Sequence, residues 1–371
     1  MKRAFDGEDL SPVGEALIHR AAMDPLDCEA LMDLSTVLQL RGNGTLAQDV
    51  QAQALAVRTL YHLPGKEGGI RMLALFAPGG MMTNAPLEFL VEDSDISLAM
   101  LYVGPGLPLP SELPDHDVLF VAVGESTGTK PLLQELALAL NGWPRPVLNR
   151  PECILGTSRE NAPVLLSNVP DVFMPRARRT GKEHVNEDFP FIIRPVDSHA
   201  GHGLEKIDDG SGLQAYLEGR HEGEYYVSPF VDYSSADGLY RKYRIVLIAG
   251  RPYACHMGIS EDWMIHYANA GMSESAQKRE EEARFMRDFD TDFAFRHGKA
   301  LARVHEVMGL DYMVMDCGET KDGRLLVFEI DTGAVVHAMD PEHLFPYKAP
   351  QMRKVFSAFR EMLLERIHAG A

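Results

Sequence analysis

The chain has 371 residues, 45% of them apolar and 24% charged. These are the proportions of a folded protein, they exclude a disordered or collagen-like polymer, and at this length they predict two or three domains rather than one core. A formal net charge of −18 excludes a general affinity for nucleic acid, which needs a basic surface to neutralise phosphates.

No run approaches about 20 apolar residues and the start MKRAFDGEDL carries no apolar core, so neither a membrane span nor secretion is expected, and the cytoplasm is the expected compartment. Cys28, Cys153, Cys255 and Cys317 lie far apart without a C-x-x-C pair, and reduced core thiols are expected.

In chain order, residues 14–62 read as helices, with Ala16, Leu17, Ala21 and Ala22 before Asp24-Pro25, and Leu31, Leu34, Val37 and Leu38 before Gly42-Asn43-Gly44. The whole segment 1–65 resembles one degenerate tetratricopeptide unit, which cannot make a solenoid by itself and reads as an appendage for a protein partner. Residues 63–69, rich in Gly and Pro, mark a boundary. Apolar runs at 70–76, 97–103 and 117–123, interleaved with helical stretches at 85–91 and 130–141, predict buried parallel strands with crossover helices.

From residue 189 onward the strands come in hairpin-like pairs grouped around helices, which predicts α+β structure there. Phe293, His297, Ala300, Leu301, Val304 and Met308 recur at helical spacing, so 291–308 is an amphipathic helix, and 351–368 is a last helix.

Residues 313–317 and 324–331 read as a hairpin around Lys321-Asp322-Gly323-Arg324. A two-residue Asp-Gly turn pairs Lys321 with Arg324 and sets Asp316 opposite Glu329, with Asp331 on the same face. Three carboxylates gathered there repel one another unless a cation lies among them. Magnesium, which takes one or two protein carboxylates and completes its shell with water and phosphates, suits the set; a solvated acidic surface is the plainer alternative.

Upstream, residues 191–195 form a strand candidate carrying Arg194, followed by Asp197-Ser198-His199-Ala200-Gly201-His202-Gly203. Such a small-residue turn lets backbone N–H groups approach phosphate oxygens. The segment Gly124-Glu125-Ser126-Thr127-Gly128-Thr129-Lys130 has the wrong glycine spacing for a P-loop, and Pro131 stands where Ser or Thr is needed.

Four stretches, residues 146–160, 189–203, 225–231, and Asp316 with Glu329-Ile330-Asp331, follow one another in an order that resembles the ATP-grasp superfamily. The resemblance is to its RimK-like and glutathione-synthetase-like branch and covers about residues 70 to 340. It implies a fold of mixed α/β and α+β type, the ATP-grasp fold, with a Rossmann-like leading domain over 70–150, an ATP-grasp domain over 151–371 whose two α+β halves clasp ATP and, here, a helical N-terminal segment. It further implies an ATP-dependent ligase that joins a carboxylate to an amine through an acyl phosphate and releases ADP and phosphate.

By the same resemblance, Arg159 and Arg194 stand where the family places nucleotide-binding lysines, and Ser198, Ala200, Gly201 and Gly203 form the phosphate lid. Tyr226, Ser228 and Phe230 lie on the strand that holds adenine, with Ser228 replacing the usual acidic or amide residue. Arg244 faces the transferred phosphate. His256, His266 and Asn269 lie in the acceptor region, where either histidine could deprotonate an amine.

Asp316, Glu329 and Asp331 hold the magnesium, and Asp331, in place of the family's Asn, adds a negative charge that opens the site to manganese. ATP and Mg2+ are thus the implied cofactors, and a small acid and a small amine the implied substrates. An ATP-binding regulatory protein without turnover, and a phosphotransferase of the same fold, are the alternatives; homo-oligomerisation stays open.

Overall fold

In the computed structural model, described for residues 1–108, 110–198 and 201–370, the strands form three sheets, and the three apolar runs read from the sequence become the inner strands of one of them. The chain falls into two compact units. The first comprises residues 1–152, 332–341 and those from Phe356 onward; the second comprises 153–331 and 342–355.

The first unit begins with helices α1 (Lys2–Phe5), α2 (Ser11–Met23), α3 (Cys28–Leu40) and α4 (Gly44–Val57). Asp27 caps α3 by accepting from the Ala30 N–H, and Leu17, Leu31, Leu34, Val37 and Val50 pack α2, α3 and α4 into one small core. Helix does not continue to residue 62: Leu60–Leu63 is a strand, β1, paired antiparallel with β3 (Ser97–Tyr102). The helical segment therefore ends inside a sheet.

That sheet also holds β2 (Arg71–Phe76), β4 (Val118–Val121) and β5 (Val147–Leu148), in the order β1-β3-β2-β4-β5. All but β1 run parallel. β4 is buried along its whole length, as expected of a parallel strand covered on both faces by helices such as α5 (Leu87–Val91) and α6 (Lys130–Ala139).

The second unit carries two sheets. After α7 (Pro151–Ile154), α8 (Asn161–Leu165) and β6 (Val172–Phe173), the smaller sheet is built from β7 (Arg178–Gly181), β8 (Phe191–Pro195), β9 (Glu205–Ile207) and β10 (Glu224–Pro229), ordered β7-β10-β8-β9, with α9 (Gly210–Leu217) against it. Phe191, Ile193, Tyr225 and Val227 point to one face and form its core with Ile207 and Tyr216. Strict alternation then sends Arg194, Tyr226 and Ser228 to the other face.

The larger sheet runs β12-β11-β13-β14-β6, from β11 (Tyr240–Ile248), β12 (Arg251–Ser260), β13 (Tyr312–Glu319) and β14 (Leu325–Asp331). Helices α10 (Ala276–Asp288) and α11 (Phe293–Met308) lie between β12 and β13 in the chain. All six residues of the predicted α11 stripe are buried, and the helix ends on Gly309 in the left-handed conformation. Helix α12 (Lys348–Gly370) begins three residues before the expected start.

The β13–β14 hairpin differs from its sequence reading in an instructive way. The turn has three loop residues, Lys321, Asp322 and Gly323, closed by the Thr320 N–H donating to the Arg324 carbonyl, and Gly323 takes a φ of +85° that favours glycine. Glu319 consequently pairs with Leu325 and Cys317 with Val327, one residue out of the expected register. A β-bulge between Asp316 and Cys317 then restores it, and Asp316 does lie opposite Glu329.

Among the described residues no helix is long and apolar enough to cross a membrane, and all four cysteines are thiols.

Candidate active site

The larger sheet lines up four polar side chains across four strands. His256 on β12 is the cross-strand partner of Arg244 on β11, Arg244 of Asp316 on β13, and Asp316 of Glu329 on β14. Cross-strand partners share a face, so base, cation and two carboxylates form one continuous row. Lys242, two residues before Arg244, extends the row on the same face.

Asp316 is 5% exposed. Arg244 grips it with two hydrogen bonds, Nε to Oδ1 at 2.8 Å and a terminal nitrogen to Oδ2 at 3.0 Å, and Lys242 Nζ lies 2.7 Å from Oδ2. Burial by itself would raise this carboxyl, but Arg244 and Lys242 outweigh it and hold the group well below the usual carboxylate range. Glu329 is half-buried and accepts from Arg159 at 2.5 Å. Burial and the adjacent Asp316 work against its charge, Arg159 and Arg194 favour it, and the balance lowers its pKa.

Arg194 is in a different position. It is 9% exposed, its guanidinium donates to the Ser198 hydroxyl at 2.9 Å and to the Ser198 carbonyl, and among the described residues it forms no ion pair with a carboxylate. Desolvation first, and the neighbouring charge of Arg159 second, pull its pKa down to about 10. A buried guanidinium beside a second one is a seat for an anion whose planar fork suits phosphate oxygens.

Ser198 thus orients Arg194 through its side chain. Gly201 and Gly203 have φ of +71° and +65°, and a side chain at Gly201 would come within 3.1 Å of the His266 ring and 3.6 Å of the Met264 sulfur. Ala200 of the expected lid, with His199, lies outside the described residues. On β10, Tyr226 is the cross-strand partner of Arg194, and Ser228 of Ile192. Phe230 follows, with Lys206 Nζ 4.7 Å over its ring and Trp263 edge-on at 5.6 Å.

The acceptor residues divide. His256 is packed against Tyr267 with ring centres 4.5 Å apart; burial, then Arg244 and Lys348, push its pKa well below 6.5, so it is a neutral imidazole at neutral pH. His266 is shifted in the same direction by desolvation and Lys242. The Asn269 Oδ1 accepts from the His266 backbone N–H at 2.9 Å and so holds the turn at Tyr267–Asn269; this structural duty is the one the geometry gives it.

The expected seat of three carboxylates is not assembled as such. Among the described residues no three His, Cys, Asp or Glu side chains gather around a common point, because Asp316 is drawn to Arg244 and Lys242 and Glu329 to Arg159. The donor set is nonetheless all oxygen, with two carboxylates side by side. It fits a hard divalent cation that takes one or two protein ligands and finds the others on phosphate and water.

Sequence reasoning passed over Lys242, Glu282 and Lys348. Only Lys242 left a signal, since a second cation at i−2 on the strand of Arg244 must share its face.

Several solved structures are similar. A D-alanine–D-alanine ligase from Bacillus anthracis, in complex with ATP, matches with a TM-score of 0.50 and 13% identity over 81% of this chain and 98% of that one. The VanG D-Ala:D-Ser ligase from Enterococcus faecalis gives 0.48 and 14% over 81% and 99%. An ATP-grasp RimK domain protein from Sphaerobacter thermophilus gives 0.42 and 17% over 79% and 99%. No family model matches the chain, and no curated protein does. At such identities the likeness speaks for the fold.

Proposed function

From the ATP-grasp fold of this chain we propose that it is an ATP-dependent ligase, activating a small carboxylate as an acyl phosphate and passing it to an amine with release of ADP and phosphate. The observation that carries this reading is the row His256, Arg244, Asp316, Glu329, closed by Arg159 and Arg194. With Lys242 beside Arg244, few functions other than handling a polyphosphate give work to four cations and two carboxylates packed this closely.

In this reading adenine lies along Tyr226, Ser228 and Phe230, and Arg159 and Arg194 take the phosphate oxygens. Magnesium, or manganese, would be held by Asp316, Glu329 and Asp331 with phosphates and water, and neutralises the charge of the triphosphate. Arg159 then exchanges the Glu329 carboxylate for phosphate. The substrate carboxylate attacks the γ-phosphorus, ADP leaves, and Arg244 and Lys242 stabilise the charge on the transferring group.

The amine attacks the acyl carbon and expels phosphate. His256, neutral at working pH, is placed to accept the proton the amine loses, and His266 beside Gly201 lies where the glycine loop can exclude water. Asp331 in place of an amide strengthens the pull on a divalent ion.

One observation favours the reading without turnover: the carboxylates are not gathered around a point in this structure. Incubation with ATP, magnesium and mixtures of amino acids in hydroxylamine separates the readings. ADP together with a hydroxamate is expected of the ligase. Tight ATP binding without ADP would leave a silent nucleotide binder, and ADP without hydroxamate a phosphotransferase acting on a hydroxyl.

A further inference from the structure

A second polar cluster adjoins His256 through the Tyr267 ring, and the mechanism above leaves it unused. Glu282 on α10 is completely buried. One carboxylate oxygen accepts the Met257 backbone N–H at 3.0 Å, and the other accepts the hydroxyls of Tyr267 at 2.8 Å and Tyr347 at 2.6 Å. Lys348, at the start of α12 and 3% exposed, donates to the Tyr267 hydroxyl at 2.5 Å and stands 3.9 Å over the same ring. Its ammonium is 3.8 Å from Glu282.

The surroundings are apolar, formed by Ile265, Ala270, Met272 and Phe345. A carboxylate and an ammonium buried there are costly to desolvate, and apolar residues of the same volume would stabilise the fold at least as well. What the charged arrangement adds is geometry. β12 is an edge strand, and Glu282 occupies the backbone N–H of the residue next to His256. Tyr267, whose hydroxyl is held by both Glu282 and Lys348, is the ring against which the His256 imidazole packs.

We propose that Glu282, Tyr267 and Lys348 are positioning residues for the amine half of the reaction, holding His256 in line with Arg244 and Asp316 by capping the edge strand and clamping the ring beneath the imidazole. The assignment of the amine half rests on the ligase reading; the clamp on His256 does not. The charged and titratable groups around that imidazole are Arg244, Lys348, Asp316 and Lys242, with the Cys255 thiol 4.0 Å from Nδ1.

The test uses the full chain with 15N-labelled histidine and the variants Lys348→Met, Glu282→Gln and Tyr267→Phe, the last keeping the ring and removing only the hydroxyl. In Lys348→Met the His256 signals should shift and titrate at higher pH, since a cation has been removed. With ATP and amino-acid mixtures, hydroxamate formation should stay within about twofold of the parent, while amine-dependent ADP release falls about tenfold or more through kcat.

Unmoved His256 signals in all three variants, or an equal fall of both half-reactions, would overturn the proposal. A parent protein that makes no hydroxamate would sink the ligase reading instead, and the His256 signals then decide the clamp by themselves.

Discussion

Arg194 and Arg244 are both set deep on strands of the second unit, and they stand in opposite electrostatic situations. Arg244 makes two hydrogen bonds to Asp316, whose charge more than offsets the burial that would otherwise lower its pKa. Arg194 has a serine for its partner and another arginine for its neighbour, and its charge is disfavoured. The first is balanced within the protein; the second calls for an anion from outside. One strand pair therefore meets a nucleotide with an ion pair already made, and the other with an unmatched cation.

Stability should separate the two most sharply. Asp316→Ala removes a buried carboxylate and leaves the partly buried Arg244 and Lys242 without their counter-charge, which should cost about 3 kcal/mol in urea unfolding. Arg194→Met removes a cation that, among the described residues, forms no ion pair with a carboxylate, and should change stability by less than about 1 kcal/mol. Comparable losses for both would break the comparison.

Nucleotide affinity should reverse the order for Arg194. Equilibrium binding of a non-hydrolysable ATP analogue to Arg194→Met should weaken about tenfold or more, the loss expected of a charged hydrogen bond to phosphate. Affinity equal to that of the parent would mean that the Arg194 seat is not used.

The smallest expected effect concerns pH. His256 has a folded pKa below its unfolded value of 6.5, so as pH falls through about 6.5 the unfolded chain takes up a proton that the folded one refuses. Stability from this group is present above that pH and declines below it. His256→Asn should flatten the decline between about pH 6.5 and pH 5, seen as a smaller drop in unfolding midpoint; an unchanged slope would place the imidazole in a less buried setting.

The row at the site was partly legible in the sequence. The Asp-Gly signal located the hairpin, and Asp316 does face Glu329, but two departures cancel on the way: a three-residue loop moves the register by one and the bulge beside Asp316 moves it back. Turn chemistry is local and visible in four residues, whereas a bulge depends on how Cys317, Val327 and the neighbouring strand pack. The helix at Phe293–Met308 was legible because its apolar stripe is periodic.

Residues 60–62 of the strand Leu60–Leu63 were read as helix because the strand exists through pairing with Ser97–Tyr102, far along the chain. Glu282 and Lys348 were missed for the same reason: nothing near either residue shows that they meet over Tyr267. The cancellation in the hairpin also warns that a correct pairing does not certify the turn that suggested it.

The central claim is that Glu329 stands among the groups that bring ATP and its metal to a carboxylate. The direct measurement is magnesium-dependent ADP release with amino-acid mixtures, compared between the parent and Glu329→Gln, with binding of the ATP analogue as control. The account predicts that the parent releases ADP and that the variant still folds but releases it about a hundredfold more slowly or worse. Equal ADP release from parent and variant would contradict it.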